Sequence, residues 1–216
     1  MGAMTTSTGS TGFTIEELYR WRERYDDGRA ELLDGALLIT HLDVDDELLD
    51  RLRDENELCR VELLDGAVIV TPTPGRAHQT VVLNLAIVLK TAAPADCQVL
   101  VAPFDVRLAS GNALEPDVVM ARREDFTERN LPAAPVLVVE VLSPVTRRID
   151  LTSKLARYRD SGVLHYWTVD PLEPSLIVRE LQGGEYVEVG HAVGEDSVQI
   201  GRPCDIRLCP ADLARG

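Results

Sequence analysis

Aromatic residues make up only 5% of the 216 positions, and no apolar run approaches the length of about 18 that a membrane-spanning helix needs. No transmembrane helix is expected. The opening MGAMTTSTGSTG has no basic stretch and no apolar core, so it does not read as a secretory signal. Gly2-Ala3-Met4 before a second apparent start reads as a tag remnant, and residues 1–13 as a disordered tail. Cysteine is sparse. Cys59, Cys97, Cys204 and Cys209 form no CxxC pair and no cluster with histidine, which argues against a structural zinc site or a disulfide framework and fits a reducing cytoplasm. There is no G-x-S-x-G elbow, no Walker loop and no G-x-G-x-x-G after a strand. Ser143-Pro144 has no base close by in sequence.

Positive charge is also scarce. Lys+Arg number 22 against 36 Asp+Glu, a net charge of −14, which argues against non-specific nucleic-acid binding. The acidity is uneven: residues 14–71 carry 17 acids and 7 basic residues. In 143–162 the sign reverses, with Arg147, Arg148, Lys154, Arg157 and Arg159 against only Asp150 and Asp160. That stretch is either an ordinary charged helix face or a local site for a polyanion.

What the sequence does contain is a repeat. The stretch from Ala30, AELLDGA, returns from Val61 as VELLDGA, and Glu16/Glu47, Leu18/Leu49, Arg20/Arg51, Arg22/Arg53 and Arg29/Arg60 match at the same offset. Each unit reads as a short helix, N-capped by Thr14 or Asp45, then a strand that turns at Asp34-Gly35 or Asp65-Gly66 into a hairpin. Asp43, Asp45 and Glu47 lack the glycine that a calcium loop requires. From residue 72 the pattern is a single α/β unit. It has a helix at 76–93, strands at 97–108, 114–121 and 135–142, a helix at 150–161 closed by Gly162, and a strand at 163–170. The order is α-β-β-β-α-β. A hairpin around Gly183-Gly184 follows, then one more strand in the tail. The expected layout is one compact domain over 14–216, with duplicated helix–strand units (14–71) packed on a core (72–216).

Glu140 is the one charge in the apolar run VLVVEVL, and Asp117 follows a proline at the start of a neighbouring strand. A buried carboxylate is costly without a cation. Either the two converge as a hard-cation site, or Glu140 pairs with an arginine and Asp117 is a turn residue. Lys154 falls on the shoulder of its helix's apolar face, so it either reaches Glu140 or snorkels to solvent.

With these residues in place, the chain resembles the PD-(D/E)XK nuclease superfamily, and more closely the Uma-two (Uma2) family of restriction-endonuclease-like proteins. The resemblance is carried by VELLDGAVIVTPTPGRAHQ, LEPDVVM, VLVVEVLSPVTRRIDLTSKLARYRDSGV and HYWTVDP, roughly residues 44–181. It implies a restriction-endonuclease-like α+β core and Mg²⁺- or Mn²⁺-dependent hydrolysis of nucleic acid, with DNA and a homodimer expected. Asp117 and Glu140 map onto the family's metal ligands. The superfamily lysine position, two residues past the glutamate, is Leu142 here, and Lys154 matches the relocated lysine, a catalytic cation that would orient the attacking water or stabilise charge on the phosphate. Glu62, His78 and Gln79 match further motif positions. Glu62 is either a third carboxylate near the metal or a partner of Arg147 or Arg148. Gln79 would orient water or phosphate, and His78 would contact substrate phosphate with Arg147 and Arg148, or simply cap its helix. Asp150 is explained by an N-cap role. The competing reading is a catalytically idle fold acting as an interaction module through its acidic repeat.

Overall fold

A computed structural model describes residues 12–24, 28–41 and 43–216. Of the tail expected over 1–13, residues 1–11 lie outside the described residues, whereas Phe13 is buried and its N–H donates to Gly35 O at 2.8 Å.

The two repeat units fold alike. Helix α1 (Ile15–Arg24) leads to strands β1 (Arg29–Leu33) and β2 (Ala36–Thr40). Helix α2 (Asp46–Glu55) leads to β3 (Cys59–Leu64) and β4 (Ala67–Pro72). The N-caps act as the sequence suggests: Thr14 Oγ1 accepts from Glu17 N–H, and Asp45 Oδ1 from Leu48 N–H. Both turns carry positive φ at the aspartate and the glycine, as a tight hairpin turn demands. The arginines repeat too, since Arg22 donates to Ala30 O and Arg53 to Val61 O. The hairpins join antiparallel through β2 and β4, and Trp21, Leu37, Leu49, Leu52 and Val68 fill the core beneath α1 and α2.

The chain then enters α3 (Arg76–Ala92) and β5 (Cys97–Val101). The strand expected over 97–108 is in fact two. A cis Ala102–Pro103 bond separates β5 from β6 (Asp105–Arg107), which joins the N-terminal sheet. The strand expected over 114–121 divides likewise into β7 (Ala113–Leu114) and β8 (Val118–Arg122). Proline at 116 has no N–H for a ladder, so pairing stops there. Strand β9 (Asn130–Leu131) closes a seven-stranded sheet, β1-β2-β4-β3-β7-β6-β9.

Strand β10 (Leu137–Val141) is the buried centre of the second sheet. Helix α4 (147–160) carries the chain to β11 (His165–Asp170), which pairs parallel to β10, while β8 pairs antiparallel on its other side. Strands β12 (Ser175–Gln182) and β13 (Glu185–Val193) form the expected hairpin, and the six-stranded order is β13-β12-β11-β10-β8-β5. Setting aside the detour through β6, β7 and β9, the core order is α-β-β-β-α-β. The tail gives two short strands, β14 (Val198–Ile200) and β15 (Ile206–Leu208), and a helix at Pro210–Ala214. Helix α3 covers one face of this sheet, over Val118, Val139 and Trp167. On the other face, Val119, Val138 and Tyr166 meet Tyr158 of α4 together with Leu64, Ile69 and Leu114 of the first sheet. Glu140 lies two residues on from Val138 and shares its face, so it points to the α4 side. No described helix is long and apolar enough to cross a membrane.

Candidate active site

Asp117 and Glu140 stand next outward from the paired residues Val118 and Val139, at the ends of adjacent strands. Both are buried. Asp117 is held on every side. Its Oδ1 accepts from Arg60 Nη2 at 2.7 Å, and its Oδ2 accepts from Val141 N–H at 2.7 Å and lies 3.1 Å from His78 Nε2. Burial would raise the Asp117 pKa, but the Arg60 guanidinium and the His78 hydrogen bond outweigh it and hold the group well below the usual carboxylate range. His78 Nδ1 is buried without a hydrogen-bond partner.

Lys154 does not snorkel. It is 1% exposed, and its Nζ lies 2.9 Å from Glu62, 3.4 Å from Glu140 and 3.5 Å from Asp150. Helix α4 makes this possible by widening: Arg147–Ile149 is α-helical, Asp150–Lys154 is π-helical, and Leu155–Asp160 is α-helical again. Such a bulge rotates the following residues relative to an ideal wheel, which turns Lys154 from the shoulder to the sheet-facing side. Asp150 is therefore not an N-cap. The helix begins before it, and its carboxylate is buried beside Lys154.

Glu62, on β3, pairs with Lys154 and not with Arg147 or Arg148, and its Oε1 also accepts from Glu115 N–H at 2.8 Å. Glu31, its counterpart in the first copy, is exposed and pairs with Arg29. Tyr158 Oη donates to Glu140 Oε1 at 3.3 Å. Burial pushes the Glu140 pKa well above the ordinary range. Lys154 opposes that rise, and Asp150, Asp117 and Glu62 add to it. Burial, opposed by Lys154, lifts Asp150 to about 6.

The remaining expected residues are placed differently. His78 and Gln79 sit in the first turn of α3, His78 buried and Gln79 exposed. Arg147 is ion-paired with Asp170 and Arg148 lies 3.8 Å from Asp34, so neither reaches the carboxylates. Sequence reasoning missed Arg60. Its signal was there, because Arg29 and Arg60 are matched positions of the repeat, but only the fold brings Arg60 against Asp117.

Two clefts meet above this cluster and share Arg60, Thr73, Pro74 and His78. The smaller, about 190 Å³, is walled by Asp117 and Gln79. The larger, about 370 Å³, runs along Gly75–His78 at the N-terminus of α3 and along Leu142–Thr146, and no acidic residue lines it. Glu62, Glu140 and Lys154 line neither cleft. The only described group of three His, Cys, Asp or Glu ligand atoms within 4.8 Å of one another is elsewhere, at Glu195, Cys209 and Asp212.

The donor set fits a divalent cation. Four buried carboxylates (Glu62, Asp117, Glu140 and Asp150) face two permanent cations, Arg60 and Lys154. Asp150 Oδ1 accepts no hydrogen bond and faces Lys154 Nζ at 3.5 Å. Carboxyl groups outnumber cations here, and burial pushes Glu140 and Asp150 toward the protonated form; a hard dication is what would let them ionise in a dry site.

The sequence pattern of the family described as "Putative restriction endonuclease" (Uma2) matches residues 45–205. Among solved structures, the chain is similar to one described as a "putative nuclease belonging to DUF820" from Anabaena variabilis ATCC 29413. That match has a TM-score of 0.60 at 18% identity and covers 77% of this chain and 96% of that one. No curated protein matches.

Proposed function

The chain belongs to the Uma2 family of restriction-endonuclease-like proteins, and on that premise we propose that it is a divalent-metal-dependent nuclease acting on DNA. The observation that carries this reading is the surplus of buried carboxylate, reached beside a cleft with no acid in its wall. The larger cleft is the natural seat of a phosphodiester. Arg60, Arg76 and His78 line it, and the first-turn N–H groups of α3, which have no side-chain cap, open onto it. In a chain of net charge −14, an acid-free wall is where a polyanion meets least repulsion.

Asp117 and Glu140 would hold the cation, which supplies charge neutralisation at the phosphate and a more acidic bound water. Lys154 fixes Glu140 from the helix side, with Glu62 and Asp150 sharing its charge. Glu62 also ties the Glu115 backbone, so it sets the loop that presents Asp117. Gln79, exposed at the smaller cleft, would orient water, and Mg²⁺ or Mn²⁺ would suit this oxygen donor set.

The test is nicking of supercoiled plasmid with Mn²⁺. Asp117→Asn and Glu140→Gln should each lower the rate on the order of 10²–10³ relative to wild type. Equal cleavage by all three would remove these carboxylates from the mechanism. A wild type that cleaves no DNA or RNA would favour the interaction module acting through the acidic repeat. Sedimentation of the same preparation tests the expected homodimer.

A further inference from the structure

Arg60 occupies an unusual place. Its guanidinium is mostly buried, at 13% side-chain exposure, and is bonded to Asp117 Oδ1. Yet it also lines both clefts. The repeat provides an internal comparison. In the first copy Arg29 pairs with Glu31 two residues along its own strand, and both are exposed. In the second copy the same spacing, Arg60 and Glu62, is split: Glu62 goes to Lys154 and the Glu115 N–H, and Arg60 goes to Asp117.

The two oxygens of Asp117 are not equivalent. Oδ2 faces a backbone N–H, which cannot leave, and the ring of buried His78. Oδ1 faces only the end of a long, flexible arginine. A cation bound through Asp117 must therefore use the oxygen that Arg60 now holds, and two positive charges cannot share it in a dry site. We infer that Arg60 is a displaceable internal counter-ion: its guanidinium and a divalent cation compete for Asp117 Oδ1, and cation entry sends the guanidinium into the larger cleft. No acid there receives it, so the partner that suits it is the phosphate of a bound nucleic acid, to which arginine offers a bidentate fork. This rests on the metal-site reading above.

Calorimetric titration of Mn²⁺ into wild type, Arg60→Met and Arg29→Met tests it. Arg60→Met keeps the length and loses the charge, so it should bind Mn²⁺ at least about tenfold more tightly than wild type. Arg29→Met should bind as wild type does. In the wild type, saturating Mn²⁺ should also speed phenylglyoxal modification of Arg60, mapped by peptide mass spectrometry, and leave the half-buried, ion-paired Arg53 unchanged. Equal Mn²⁺ affinities in all three proteins, or a bound cation that leaves Arg60 as protected as before, would overturn the exchange while the metal site stands. No binding by any of them would overturn the metal site itself, and binding by Arg60→Met alone would support the exchange. If Arg60→Met fails to fold, the modification of wild-type Arg60 decides.

Discussion

Lys154 is held by three carboxylates and reaches neither cleft, so its removal has a structural cost before it has a chemical one. Lys154→Met leaves Glu62, Glu140 and Asp150 buried with their shared partner gone. Breaking a buried ion-pair cluster from one side costs about 3–5 kcal/mol, and urea denaturation of the metal-free variant should show a loss of that size. A change under about 1 kcal/mol would mean that the carboxylates are already neutral without the lysine. Asp150 gives a separate test through pH. Its folded pKa is raised to about 6 from an ordinary 3.8, so the folded state holds the proton more tightly than the unfolded chain does. The stability linked to that proton is complete below pH 3.8 and is lost as pH rises through about 6. Metal-free wild type should therefore lose stability relative to Asp150→Asn between pH 4 and pH 7. Parallel curves for the two proteins would show that Asp150 titrates normally.

The hairpin turns show how equivalent elements come to differ. Gly35 and Gly66 both sit at positive φ, +89° and +75°. A Cβ on Gly66 meets nothing within 4 Å, so Gly66→Ala should cost only the left-handed strain, about 1–2 kcal/mol. A Cβ on Gly35 would lie 2.9 Å from the Gly12 backbone and 3.3 Å from Val145, so Gly35→Ala should be clearly worse by thermal denaturation. Equal losses would mean that residue 12 does not pack on the turn. These turns were legible beforehand because Asp-Gly between apolar strands has few other solutions. So was β10, where an unbroken apolar run admits one charge. The division of β5 from β6 was not legible, because Val99, Val101, Phe104 and Val106 keep alternating across a backbone that leaves one sheet for the other. The π-helical turn in α4 has no sequence signature either, so the Lys154 wheel fell short of the sheet. Asp117 and Glu140 could be picked out because charges are rare in such strands, whereas Arg60 lies on a distant strand and becomes visible only when β3 and β7 pair.

At the scale of the whole molecule, a net charge of −14 opposes approach to DNA, and most basic residues near the site are already engaged. Arg147 is taken by Asp170, Arg148 by Asp34, and Arg157 by Asp65 and Asp160. The cations that line the acid-free cleft are Arg60 and exposed Arg76, with His78 between them in the wall. A protein that neutralises Z phosphates shows a salt slope of about −0.9Z on duplex DNA. Two or three contacts therefore give a slope of about −2 to −3, shallow beside proteins that grip the duplex along its length. Arg76 pairs with none of Glu62, Asp117, Glu140 and Asp150. Arg76→Ala should thus leave Mn²⁺ binding intact, weaken DNA binding across all sequences, and flatten the slope by about 1. Fluorescence anisotropy with a labelled duplex between 50 and roughly 200 mM salt measures this. A wild-type slope of about −6 or steeper, or one unmoved by Arg76→Ala, would place the phosphate contacts on another surface.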